Sequence, residues 1–85
     1  MSHEARSERT ARILTARVEE LARVLEEARA PREAAARLLA SAAVATMHAV
    51  TLELITAPRA ERIWHEVAER HPRVELDAPA LRIAA

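Results

Sequence analysis

His48 is the first residue of this chain with the means to do chemistry. It stands inside a long apolar run, with Ser41 seven positions before it and Thr51 three positions after it. On a helix those spacings bring one imidazole and two hydroxyls to the same side. The seam suits a ligand contact in an interior pocket, or a core histidine hydrogen-bonded to a hydroxyl or a carbonyl. Glu53 is the only formal charge in the run 38–57 and lies about 140° around the helix from His48, so the two do not pair within one helix. A carboxylate among Leu52, Leu54 and Ile55 needs a partner, and an Arg from another helix is the expected one. His48, Ser41, Thr51 and Glu53 are the candidate ligand-binding residues.

A second group follows at four-residue intervals. Glu61, His65 and Glu69 form one ridge of a helix. Metal sites of helical proteins use Glu-x-x-His from paired helices or His-Glu-x-x-His, and neither occurs. A solvated ridge is expected, with no metal and no cofactor. Trp64 is the single aromatic residue, too few for a base-stacking platform, and is expected to anchor a core or an interface.

Composition removes whole classes of function. The sequence holds no Cys, which excludes disulfides, thiolate metal sites and thiol nucleophiles. It holds no Gly, so no phosphate-cradling loop, dinucleotide fingerprint or glycine-flanked nucleophile elbow is present. No catalytic residue is named on this basis. All 13 basic residues are Arg, balanced by 13 acidic ones. Abundant Arg and Ala with no Lys or Asn reads as a natural protein from a GC-rich bacterial genome. His3, Glu4 and Arg6 precede any apolar run, so no secretory signal is expected and the cytoplasm is the default compartment.

The elements that must position these residues are helical. Ala11, Leu14, Val18, Leu21, Leu25 and Ala28 are spaced 3, 4, 3, 4, 3, a heptad seam that Ile13 and Val24 widen on one side. Pro31 and Pro58 suit the first turns of new helices, and Thr56 suits a cap for the third. Helices are therefore expected at about 7–30, 31–56 and 57–70. The third carries a stripe of Ala60, Ile63, Trp64, Val67 and Ala68. The helical domain is residues 1–71. Residues 72–85 read as an extended tail, with Val74, Leu76, Leu81 and Ile83 laid on a neighbouring surface, in this chain or in a partner.

Length then argues for assembly. The first two helices would span roughly 36 and 39 Å at 1.5 Å per residue. A compact globule of 85 residues is only about 30 Å across. A second helix apolar on every side must be buried on every side. Small residues four apart (Ala36 and Ala40, Ala42 and Thr46, Ala45 and Ala49) would let helices approach closely. The expected fold is all-α: a long antiparallel helical hairpin plus a shorter third helix and an extended C-terminal tail, assembled as a dimeric bundle. Leu39, Ala42, Ala45, Thr46, Ala49, Leu52 and Trp64 are the expected interface. Ser41, Thr46, His48, Thr51 and Glu53 interrupt the apolar run, so no membrane span is expected.

The function these features point to is a small helical homo-oligomeric interaction module, an accessory, scaffold or regulatory subunit. It would bind a protein partner through its surface helix or its tail. The alternative is a ligand-binding helical dimer or small helical enzyme with an Arg/His-lined interior pocket. A long Arg-bearing first helix followed by Pro31-Arg32-Glu33 resembles, in layout only, the chorismate-mutase class of helical dimers. That resemblance implies an Arg-lined site, but the Lys and Gln of the class are absent from this chain. Arg6, Arg9 and Arg12 also make a short basic ridge, which suggests a weak DNA-binding regulator. Glu4 and Glu8 dilute it, and no nucleic acid is expected as partner.

Overall fold

The computed structural model describes residues 3–28, 31–76 and 79. The protein is all-helical, with α1 at His3–Ala28, α2 at Arg32–Thr51 and α3 at Ala57–Arg70, and no strand among the described residues. Helix α1 begins four residues before Ser7, because Glu4 sits in its first turn, where a carboxylate offsets the positive end of the helix dipole. The heptad seam is the buried edge of α1: Ala11, Leu14, Val18 and Leu21 lie in the core, joined by Ala22. Ile13 and Val24 stay exposed.

Helix α3 packs on α1 more extensively than either packs on α2. Arg59 reaches Glu8 at 2.7 Å, and Arg70 Nε reaches Glu19 Oε1 at 2.6 Å. Both pairs are 51 residues apart in sequence, so α1 and α3 run parallel and in step. The α3 stripe of Ala60, Ile63, Trp64 and Val67 is buried along this contact and beneath α2. Thr56 caps α3 through its hydroxyl, which accepts from the Arg59 N–H at 3.4 Å, and Pro58 occupies the first turn.

Helix α2 ends at Thr51, not near residue 56 as its apolar composition predicts. The Leu54 N–H donates to the Ala49 carbonyl at 2.9 Å and the Glu53 N–H donates to the Val50 carbonyl at 3.0 Å. Those two bonds make a Schellman ending, whose middle residue must take a left-handed backbone. Glu53 takes it, with φ 58°. Glycine usually fills this position, and the chain has none. The turn then folds Ile55 into the core.

The segment after α3 is partly core. The Val74 N–H donates to the His71 carbonyl at 3.1 Å, turning the chain back on itself. Leu76 is buried and Val74 half-buried, while Arg73 and Glu75 are exposed, so the alternation expected of the tail holds over these four residues. Pro79 shares a shallow cleft with Pro58, Glu61, Arg62 and His65, which places it beside the first half of α3. Leu81 and Ile83 lie outside the described residues.

The result is a slab, 41 × 27 × 18 Å, with a radius of gyration of 13.0 Å. A compact chain of this length would have a radius near 12 Å.

Candidate functional site

The most apolar helix is among the least buried parts of the fold. Only 11% of its stretch Glu33–Thr51 is buried, so the expectation of burial on every side does not hold within one chain. The inward edge of α2 is narrow. Ala42 and Thr46 lie in the core, and Leu39, Ala49 and Val50 are half-buried against it. Turning about 180° around the helix brings up Ala36, Ala40, Val44, Met47 and Thr51, all exposed. Val44 is 51% and Met47 45% exposed; Leu38, one turn before the buried Ala42, and Leu52, just past the helix end, are exposed at 40% and 68% on other sides. Arg37 is the only formal charge of α2 between Glu33 and Glu53. A separate shallow groove of about 220 Å³ lies between α1 and the flank of α2 beside Ala42, lined by Val24, Arg17 and Leu21 on one side and Leu38, Ser41 and Ala42 on the other.

The structure relocates several residues singled out by the sequence. Ser41, His48 and Thr51 are all exposed, so their polar seam borders the outward face of α2 and encloses no interior pocket. Glu53 is exposed in the turn and lines a separate cleft with Ser7, Val50 and Ile55. Ala42, Thr46 and Trp64 face the chain's own core, where the Trp64 indole N–H donates to Thr46 Oγ1 at 3.1 Å. Leu39, Ala45 and Ala49 are half-buried, and only Leu52 of the expected interface residues stands open. Val44, Met47, Ala36 and Ala40 occupy the outward face instead. Their helical phase opposite Ala42 and Thr46 was legible in the sequence; which phase faces α1 and α3 was not.

The Arg-lined recess is elsewhere. Arg12, Arg59 and Arg62 share a cleft of about 480 Å³ between α1 and α3 with Glu8 and Glu66. Arg59 is held by Glu8 and, at 3.4 Å, by Ser7. Two carboxylates among three guanidinium groups leave little excess charge for an anion. His65 and Glu69 approach to 3.5 Å on an exposed ridge. Among the described residues no group of three metal-ligating side chains is arranged to hold an ion.

One titratable cluster escaped the sequence reading. His71, at the end of α3, places Nδ1 at 2.8 Å from Glu26 Oε2 and Nε2 at 3.1 Å from Glu19 Oε2. Two carboxylates are both satisfied only when both ring nitrogens carry hydrogen. The hydrogen bond to Glu26, followed by that to Glu19, raises the His71 pKa above its ordinary 6.5. The hydrogen bond from His71, followed by that from Arg70, holds the Glu19 carboxyl below its ordinary 4.5. The arrangement fastens the end of α3 to α1, and its parts lie 45 to 52 residues apart, beyond any local spacing rule.

The chain matches no family model, no curated protein and no solved structure.

Proposed function

We propose that this chain is a small helical homo-oligomeric interaction module that works as an accessory, scaffold or regulatory subunit in the cytoplasm. The exposed apolar face of α2 carries this reading. An isolated soluble domain seldom leaves a contiguous apolar helix face open, and such faces mark association sites. The antiparallel pairing of α1 with α2, doubled into a dimeric bundle, is the assembly that covers it. A protein partner would then meet the surface of α1 or the tail; burial of Leu76 against the chain's own core favours α1.

The ligand-binding alternative has less support. The Arg cleft and the His48 seam stand on different faces, and Glu8 already holds Arg59. The apolar stretch of α2 is also long enough to cross a membrane by length and composition. Against a membrane stand Arg37, Ser41, His48 and Thr51 on its outer side and Thr46, tied to Trp64 in the core.

Sedimentation of the full chain from low to high micromolar concentration tests the reading. The expected mass is twice 9.4 kDa. A single-chain mass across the range would overturn it.

A further inference from the structure

We infer that the outward face of α2 is covered by the α2 of a second copy laid antiparallel, with Ala36 and Ala40 of each chain against Met47 and Val44 of the other. The inference rests on the proposed homo-oligomer and adds its interface and direction.

Three observations select this partner. The first is exposure. Val44 is 51% and Met47 45% exposed, and with the exposed Ala36, Ala40 and Thr51 they leave one whole face of α2 open to a second copy. A slab only 18 Å thick becomes a globule when two copies stack face to face.

The second is volume. The outward face is small in its first half, Ala36 and Ala40, and large in its second, Val44 and Met47. In a two-fold interface each residue meets the other end of the same patch. Antiparallel stacking sets large side chains over small ones along the whole contact, and the alanines let the helices approach closely. Parallel stacking sets Met47 on Met47 and leaves a void between the alanines.

The third is charge. In a parallel pair Glu33 would meet Glu33 and Arg37 would meet Arg37. The antiparallel pair moves each away from its own copy by two or more helical turns and sets Glu33 level with Thr51 of the other.

The chain has no cysteine, so cross-linking starts from a clean background. In the antiparallel register, equal positions at 36 or at 47 are about 16 Å apart along the helix, since 11 residues separate the two levels. A disulfide needs Cα atoms within about 7 Å. Ala36→Cys and Met47→Cys, each alone, should therefore stay uncross-linked under mild oxidation. Mixed, they should give a disulfide-linked heterodimer. Val44→Glu should weaken self-association at least about 100-fold, with Trp64 fluorescence unchanged as evidence of a native fold. Self-cross-linking of either single variant would show parallel packing and overturn the inference. So would a native dimer in which the mixture does not cross-link, or in which Val44→Glu has no effect; the homo-oligomer would survive these results. A monomer would overturn both. Partition of the full chain into phosphatidylcholine vesicles, with loss of the dimer, would replace the second copy by a lipid surface.

Discussion

The indole N–H of Trp64 donates to the hydroxyl of Thr46 at 3.1 Å, and that hydroxyl donates in turn to the Ala42 carbonyl one helical turn back at 2.8 Å. Both side chains are fully buried. This relay joins α3 to α2, the pair of helices with the thinnest packing in the fold. It also explains why a threonine stands in the apolar edge of α2: an indole N–H taken from water needs an acceptor.

Thr46→Val keeps the shape and removes the acceptor. It should lower unfolding free energy by about 1–3 kcal/mol, the cost of a buried donor left unpaired. Thr46→Ser should keep most of that stability. Trp64 is the only fluorophore of its kind in the chain, so urea unfolding followed by its emission measures both. Equal losses for Val and Ser would show that packing, and not the hydrogen bond, is what matters at this position.

Glu53 holds a left-handed backbone that costs a non-glycine residue roughly 1–2 kcal/mol. Glycine relieves that strain and loses some of it again through the more flexible unfolded chain. Glu53→Gly should stabilise the protein by about 0.5–1 kcal/mol. Glu53→Val, with a branched Cβ, should destabilise it. A destabilised Gly variant in thermal melts would mean that the Glu53 side chain contributes more than its backbone costs.

The cluster at the end of α3 gives stability a dependence on pH with two limbs. His71 is raised above 6.5, so its contribution is complete below pH 6.5 and is lost as pH rises through its folded value. Glu19 is lowered below 4.5, so its contribution is complete above pH 4.5 and is lost as pH falls through its folded value. Stability from this cluster should be greatest between about pH 4.5 and 6.5. His71→Gln should flatten the upper limb and leave the lower one present. Denaturant midpoints between pH 4 and 9 read both, and an unchanged upper limb in His71→Gln would rule out this assignment.

Leu76 is buried among residues of the helical core. Leu76→Ala should cost about 2–3 kcal/mol, within the range for a buried leucine. Removing the chain from Pro72 onward should cost at least as much, since Val74 leaves with Leu76. Truncation without any loss in thermal midpoint would return this segment to a binding role.

Local rules account for much of what was legible. The 3,4 spacing of α1, the Thr56–Pro58 start of α3 and the stripe Ala60, Ile63, Trp64, Val67 are properties of short windows, and each emerges where it was expected. The end of α2 was not legible, because its stop signal is normally a glycine and Glu53 occupies that place. The His71 cluster was not legible either. Its members meet because α1 and α3 run parallel in step, and no local window spans that distance.

The sequence by itself determined that this is an all-helical protein, that α2 is its most apolar segment, and that thiol and glycine-loop chemistry are absent. Tertiary structure alone decided which side of α2 is used within the chain. A helix rich in alanine offers almost equal apolar surface at every angle, so its own residues do not select an inward edge. Trp64, as the largest side chain of α3, made that choice by donating to Thr46, which lies with Ala42 on the buried edge of α2. With one edge taken by the core, Ala36, Ala40, Val44 and Met47 were left facing outward.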